Sequence, residues 1–249
     1  GGSLPGGIGS YRKSFILPVT AKHKNVSIEF DGIYQNSEVW INEHYLGKRP
    51  NGYISFQYDL TSYIKPAQKN VIVVKVDNSL QPNSRWYTGS GIYRNVWLVI
   101  TNKIAIDYQG VYIRTSLLSS DNGEWVNYDR LKPGPTLGMV NIQVSLHSKT
   151  ASPGKLTLVH TIYDAKGEKI TATKPYPVEI DTLFGSTLYM DGGLGIRNPV
   201  PWSVDNPYLY KVVSTVFQNN IPIDEVLTLV GIHQFNFDNN KGFFLNGQS

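Results

Sequence analysis

Short apolar segments recur along the first hundred residues at intervals of about ten, separated by turn-forming residues. In the clearest case Val26, Ile28 and Phe30 alternate with polar residues, which predicts a strand with one buried face. Residues 71–74 are all apolar, as in a strand covered on both faces. Strands are predicted at residues 11–17, 26–30, 38–41, 53–58, 71–76 and 96–100. This spacing favours a β-sandwich or barrel, because no alternation of strands with helices is visible.

A polar break at residues 101–103 separates these strands from a second set. About seven strands in about 130 residues is typical of an immunoglobulin-like domain. Residues 119–135 are rich in Gly, Pro and Asp, and we expect a long loop there rather than an extra strand. The second set is predicted at residues 104–115, 140–146, 155–163, 209–217 and 225–230. The resulting domain boundaries are 1–103, 104–235 and 236–249.

The last predicted segment, residues 236–249, contains three apolar residues followed by Asn246 and Gly247. An Asn-Gly pair after a strand predicts the tight turn of a β-hairpin. Because no second strand follows, we expect an unpaired half-hairpin and a chain cut from a longer protein.

Composition excludes several kinds of site. The absence of cysteine rules out disulfides and thiolate metal sites. The five histidines lack the spacing of a zinc site, so no metal and no cofactor are predicted. The net charge of +4 is scattered, which argues against nucleic acid. No apolar segment reaches the roughly 18 to 20 residues of a membrane span, so no membrane partner is expected.

The strongest candidate site is the run at residues 84–94, which holds two arginines, three aromatic residues and two glycines. Aromatic faces stack on pyranose rings, arginine donates to hydroxyl or carboxylate oxygens, and glycine lets the backbone approach a ligand. The candidate sugar-binding residues are Arg85, Trp86, Tyr87, Tyr93 and Arg94. In the alternative interpretation, Arg85 and Arg94 are structural and bind backbone carbonyls. Trp40 and Trp97 follow strand patterns and are predicted to pack in the core.

Several separated motifs in this order resemble the N-terminal part of glycoside hydrolase family 2, which includes β-galactosidases, β-glucuronidases and β-mannosidases. They are Phe30-Asp31-Gly32-Ile33, Val39-Trp40-Ile41-Asn42, the run at 84–94, the segment 201–210 beginning Pro-Trp-Ser-Val-Asp-Asn-Pro, and Gly242 to Gly247. Glu43 departs from the Asn-Gly pair usual in the family after a strand of this kind, which weakens the turn predicted there.

The resemblance implies an all-β chain, with a jelly-roll (galactose-binding-like) sandwich followed by an immunoglobulin-like sandwich. In the family a (β/α)8 barrel then carries the two catalytic glutamates of a retaining mechanism. Neither glutamate can be placed on this sequence, so no catalytic residue is assigned and it stays open whether the chain is itself an enzyme.

The leading hypothesis is a non-catalytic portion of a β-galactosidase-like enzyme. Its expected partners are a β-linked carbohydrate, the barrel of the same protein and, as a further candidate, a second copy. For a bacterial glycan-degrading parent, a soluble periplasmic or secreted protein is favoured over a cytoplasmic one. The alternatives are a free-standing carbohydrate-binding module and a purely structural pair of sandwiches.

Overall fold

The structure is a computed structural model that describes residues 6–80, 89–121, 124–127, 136–150, 153–180, 186–190 and 193–248. Strands dominate this part of the chain, and its one helix is a 3₁₀ helix at Val19–His23. The first nine strands are β1 (Ile8–Ile16), β2 (Asn25–Phe30), β3 (Ile33–Tyr34), β4 (Ser37–Ile41), β5 (His44–Arg49), β6 (Phe56–Asp59), β7 (Lys69–Asp77), β8 (Gly91–Ile92) and β9 (Val96–Thr101). The others are β10 (Ile104–Asp121), β11 (Glu124–Asn127), β12 (Thr136–Ser148), β13 (Leu156–Tyr163), β14 (Lys169–Ala172), β15 (Tyr176–Val178), β16 (Ser186–Met190), β17 (Leu194–Arg197), β18 (Tyr210–Gln218), β19 (Ile221–Val230), β20 (Phe235–Asp238) and β21 (Gly242–Leu245).

The chain forms two compact units, Gly1–Lys103 and Ile104–Ser249. The first unit is a jelly-roll sandwich with a sheet in the order β1-β7-β4-β5 and a second in the order β6-β2-β9. Its core joins apolar side chains from both sheets, among them Val39 and Val74 from one and Ile28 and Phe30 from the other. A short pair, β3 with β8, lies outside both sheets.

Alternation of apolar and polar residues accounts for the strands of the first unit. In β2 the predicted face of Val26, Ile28 and Phe30 is buried, while Ser27 and Glu29 point outward. In β7 the apolar run at 71–74 also alternates, because Ile72 and Val74 are buried and their neighbours are half-buried. The prediction for β2 is confirmed, and the outer face of β7 is covered only in part.

The second unit is an immunoglobulin-like sandwich. One sheet runs β11-β10-β12-β16, with β17 also paired to β12, and the other runs β14-β13-β18-β19, with β15 paired to β13. Fully buried side chains from both sheets form its core, for example Val140 and Ile142 of β12 against Leu158 of β13 and Val212 of β18. A hairpin joins β13 to β14, and in its turn the Gly167 N–H donates to the Asp164 carbonyl at 3.1 Å.

Two predictions about this unit are wrong. The segment expected to be a loop contains β11, which pairs antiparallel with β10. The terminal segment is also not an unpaired half-hairpin, since β21 pairs with β20. The Asn-Gly turn itself is confirmed, because Asn246 and Gly247 both have positive φ, at 51° and 78°. In both cases pairing with the neighbouring strand supplies hydrogen-bond partners for backbone N–H and C=O groups that would be unpaired in a single strand.

The hairpin between β4 and β5 turns through Asn42 and Glu43, where glycine is the usual second residue. Asn42 and Glu43 have φ of 46° and 73°, which is the geometry of a two-residue type I′ turn. The Asn42 side chain anchors this turn by accepting the Val71 N–H at 2.9 Å and donating to the Tyr63 carbonyl at 2.8 Å. The turn therefore forms despite Glu43, whose Cβ is strained at positive φ.

Replacement of Glu43 by glycine should stabilise the first unit. We expect Glu43→Gly to raise the free energy of unfolding by about 0.5–1 kcal/mol, since relief of strain outweighs the added freedom of glycine in the unfolded chain. Urea denaturation measures the change. Glu43→Ala is the matched control, because it removes the carboxylate and keeps the Cβ. An equal gain in the free energy of unfolding in both variants would show that loss of the Glu43 charge, and not relief of backbone strain, causes the stabilisation.

Candidate functional site

The candidate sugar-binding run at residues 84–94 is described from residue 89 onward. Arg85, Trp86 and Tyr87 lie outside the described residues, and their roles remain predictions. The described end of the run forms β8, which pairs with β3, and then leads into β9.

Gly91 allows the backbone of this run to pack closely against Tyr11 and Tyr34 of the first unit. Its φ is 88°, and it pairs across the short ladder with Tyr34. A Cβ at this position would lie 1.9 Å from the hydroxyl oxygen of Tyr11, so both the backbone angle and the space require glycine. Gly89 meets no such limit, because its nearest neighbour, Cβ of Tyr93, is 4.0 Å away.

Tyr93 is held in place at the end of the run. Its hydroxyl donates to the Gly52 carbonyl at 2.8 Å. Its ring lies against Gly32, where a Cβ would come within 2.6 Å of the Tyr93 Cζ. The side chain is still 41% exposed, so a ring of fixed orientation faces the solvent. Such a ring can stack on a sugar without losing much conformational freedom.

Arg94 is the exposed cation of the described part of the run. Its guanidinium carbon lies 5.5 Å from the centroid of the Tyr93 ring, which is a cation–π contact. Among the residues that the structure describes, the guanidinium makes no hydrogen bond or ion pair. Arg94 is exposed, and its donors can bind hydroxyl or carboxylate oxygens. The structural alternative for Arg94 finds no carbonyl partner within the described ranges.

A second aromatic group lies beside this run. Tyr34 is 6% exposed and meets Tyr53 edge to face, with 5.4 Å between ring centroids. Tyr53 is 52% exposed and sits in a turn, because its N–H donates to the side chain of Asn51. The predicted strand at 53–58 begins only at Phe56. The Asn51-Gly52 pair is the sequence signal that could have placed Tyr53 in a turn.

The prediction that Trp97 packs in the core is wrong. Its side chain is 51% exposed on β9, and its indole N–H donates to the Asp31 carboxylate at 3.0 Å. Trp40 is also outside the core: it is half-buried between the core residues Val39 and Ile41 of β4 and packs against Tyr45, with 5.3 Å between ring centroids. Strand alternation alone does not distinguish an inward-facing from an outward-facing tryptophan.

The described residues contain no group of three or more His, Asp or Glu side chains arranged to hold a metal ion. No helix among them is long and apolar enough to cross a membrane. Within these ranges the chemistry of the site rests on aromatic faces, hydroxyls, amides, carboxylates and arginine.

Comparison with known families assigns both units. Residues 5–102 match the profile described as glycosyl hydrolases family 2, sugar binding domain, and residues 125–233 match glycosyl hydrolases family 2. The chain belongs to glycosyl hydrolase family 2. The resemblance read from the motifs is therefore confirmed, and so is the order of its two sandwich domains.

Relatives in this family carry glycosidase names. The chain is 40% identical over 248 residues to a protein of Bacteroides ovatus named beta-galactosidase BoGH2A, covering 100% of this chain and 27% of that protein. It is 30% identical over 258 residues to a beta-glucuronidase of Formosa agariphila, covering 96% and 24%. The chain thus spans about a quarter of the length of the curated relatives it matches, and it corresponds to their N-terminal portion.

Solved structures of family members show the same fold. A glycosyl hydrolase family 2 member from Bacteroides cellulosilyticus superimposes with a TM-score of 0.86 at 33% identity, over 98% of this chain and 31% of that one. A beta-glycosidase from Bacteroides vulgatus superimposes with a TM-score of 0.80 at 34% identity, over 98% and 28%.

Proposed function

We propose that this chain is the non-catalytic front part of a retaining β-glycosidase of the β-galactosidase type. The observation that carries the proposal is the relative named beta-galactosidase, which matches the whole chain at 40% identity while extending well beyond it. Hydrolysis of the terminal β-glycosidic bond then belongs to a barrel with two glutamates. In this function the chain supports the barrel and contributes to the rim of its sugar site.

The end of the candidate run is suited to the rim. Tyr93 presents a ring fixed by Gly32 and Gly52, and Arg94 presents a cation stacked on that ring. We assign these two residues to contacts with the sugar, and Arg85, Trp86 and Tyr87 to the same rim on the basis of the motif. Such a partial site binds weakly alone because the remaining contacts come from the barrel.

The proposed domains are 1–103 for sugar binding, 104–235 for the immunoglobulin-like sandwich and 236–249 for entry into the barrel. The last assignment is supported by an aromatic surface on the β20–β21 hairpin. Phe235, Phe237 and Phe243 are 56%, 71% and 50% exposed and form a continuous set of ring contacts. A contiguous apolar surface of this kind is typical of an interface.

The free-standing carbohydrate-binding module remains the second candidate, supported by the exposed ring of Tyr93 and the exposed Arg94 that stacks on it. Calorimetric titration of the 249-residue chain with galactose, glucuronate and oligosaccharides separates the two functions. Accessory function predicts no binding at micromolar strength through this run. Micromolar binding that Tyr93→Ala and Arg94→Ala both weaken at least tenfold would establish the module instead.

The assignment of chemistry to a barrel has its own test. We expect the 249-residue chain to leave nitrophenyl β-galactoside and nitrophenyl β-glucuronide intact, because the two-carboxylate mechanism needs a paired acid and nucleophile. Release of nitrophenol is followed by absorbance, with a complete family 2 β-galactosidase as the positive control. Turnover by the purified chain, unaffected by further purification, would contradict the proposal.

A further inference from the structure

The outer face of the β6-β2-β9 sheet carries a group of polar side chains around one tryptophan. Glu29 of β2 is paired with Gln57 on β6 and with Trp97 on β9, so the three side chains stand in a row across the sheet. Neighbouring strands lie about 4.8 Å apart, and the row therefore spans roughly 10 Å. Asp31, just beyond the end of β2, adjoins it. We call Glu29, Asp31, Gln57 and Trp97 the Trp97 face.

The indole ring of this face is exposed and has a fixed orientation. Trp97 is 51% exposed, and its N–H donates to Oδ2 of Asp31 at 3.0 Å. Asp31 is itself fixed, since its backbone N–H donates to the Asn95 carbonyl and its own carbonyl accepts the Ser55 hydroxyl at 3.2 Å. The protein therefore holds a large apolar plane toward solvent, with little freedom left to lose on binding.

Two carboxylates flank that plane, and in the described part of the chain neither is paired with a cation. Oε1 of Glu29 accepts the Gln57 amide at 3.0 Å, and the same amide donates to the Ser27 hydroxyl at 2.8 Å. Within the described ranges no lysine, arginine or histidine pairs with Glu29 or Asp31, and Oε2 of Glu29 and Oδ1 of Asp31 accept no hydrogen bond. Burial raises the pKa of Glu29, and the charge of Asp31 raises it further, against the opposing effect of the Gln57 hydrogen bond.

We infer that the Trp97 face binds a neutral pyranoside. The indole stacks on the apolar face of the sugar ring, and hydroxyl groups donate to Oε2 of Glu29 and Oδ1 of Asp31. The face disfavours uronic acids, because a third carboxylate would meet two with which no cation among the described residues pairs. This inference goes beyond the proposed function, because it uses residues outside the 84–94 run and holds or fails independently of that run.

The polar groups also argue against a protein partner at this face. Packing an apolar surface over this face would bury Oε2 of Glu29 and Oδ1 of Asp31, for which the described residues supply no hydrogen-bond donor, and that burial is costly. A sugar brings its own hydroxyl donors with it. Val96, Leu98 and Ile100 lie on the opposite face of β9, where they are also exposed, and they take no part in the inference.

Proton–nitrogen NMR of the 249-residue chain tests the inference through the indole N–H signals. The Trp97 signal is identified by its loss in Trp97→Phe. Titration with methyl β-galactoside, lactose and cellobiose is expected to shift that signal with a Kd on the order of 1 mM, as for a shallow site with one stacked ring. Glucuronate is expected to bind at least tenfold more weakly.

Variants separate stacking from charge, and their binding is followed through backbone amide signals of β2 and β9 because the Trp97 variants lack the indole N–H. Trp97→Ala should weaken neutral-sugar binding at least tenfold, and Trp97→Phe should keep part of it because an apolar plane remains. Asp31→Asn and Glu29→Gln should each weaken the binding of neutral sugars severalfold. Each should also reduce the difference in affinity between neutral sugars and glucuronate. Tyr45→Ala is the control, since Tyr45 is 54% exposed on the other sheet and should leave binding unchanged.

Any of three results would overturn the inference. The first is no shift of the Trp97 signal at roughly 100 mM neutral sugar, a hundred times the expected Kd, and the second is glucuronate binding as tight as galactoside binding. The third is broadening of the Trp97 signal with protein concentration alone, which would identify a second copy of the chain as the occupant. Binding that survives Trp97→Ala but not Tyr93→Ala would support the module and not the Trp97 face.

Discussion

Gly52→Ala is expected to lower the free energy of unfolding of the first unit by about 3 kcal/mol, near the upper end of the range for overpacking. A Cβ on Gly52 would lie 2.2 Å from Cδ2 of Tyr34 and 2.9 Å from two further atoms of that ring. Because Tyr34 is only 6% exposed, its ring cannot move into solvent to make room. Either the Gly52 backbone or the β3–β8 pair must shift.

This substitution should also disturb the candidate site. The Gly52 carbonyl accepts the Tyr93 hydroxyl, so displacement of the backbone releases the ring. Tyr93→Phe, which removes only that hydrogen bond, should cost about 1 kcal/mol and serves as the comparison. Urea denaturation followed through resolved amide NMR signals of each unit measures both variants.

The control for Gly52→Ala is Gly9→Ala, since no atom lies within 4 Å of a Cβ built on Gly9. We expect this control to be neutral within about 0.5 kcal/mol. If both variants unfold at the same urea concentration, the close contact with Tyr34 does not limit the packing of the first unit. Signals of the second unit should keep their midpoint in either variant.

His160→Leu is expected to destabilise the second unit by about 2–3 kcal/mol. His160 is fully buried on β13, where Nδ1 lies 2.9 Å from the Ser214 hydroxyl and Nε2 lies 2.8 Å from the Tyr176 hydroxyl. Ser214 is also fully buried, so loss of the imidazole leaves its hydroxyl without this partner in an apolar core. An unsatisfied buried hydroxyl costs about 1–3 kcal/mol, and the mismatch in shape adds to this.

A double variant separates these causes. His160→Leu combined with Ser214→Ala removes both partners, and we expect it to recover about 1 kcal/mol relative to His160→Leu alone. Thermal or urea unfolding of the second unit measures the difference. The effect of Ser214→Ala in the wild-type background is measured for comparison. If Ser214→Ala lowers the stability of the His160→Leu variant by the same amount, the hydrogen bond between His160 and Ser214 contributes nothing measurable.

Much of the fold could be predicted from local pattern. Strands with one buried face, such as β2, were recognisable because alternation has the period of a strand. The turn at Asn246 and Gly247 followed from residues that tolerate positive φ. Strand β11 was missed because its pairing with β10, rather than its own apolar pattern, makes it a strand.

The candidate site also has features that the sequence predicts and features that only the structure shows. The motif at residues 84–94 pointed to the family and to Tyr93 and Arg94, since their residue types carry the chemistry. The support for Tyr93 came from Gly32 and Gly52, which are distant in sequence. The Trp97 face was not foreseen, because it depends on strand register: Glu29 pairs with both Trp97 and Gln57 only once β2 lies between β6 and β9.

By itself the sequence determined the class of fold, the order of the two sandwiches and the family, because each follows from local periodicity or from contiguous motifs. Only the tertiary structure decided which side of a strand faces the core and which distant side chains meet. A strand places successive residues on opposite faces, and the choice between those faces depends on the sheet packed against it. That choice left Trp97 in solvent beside Asp31, while Ile28 and Phe30 of the adjacent strand β2 were buried.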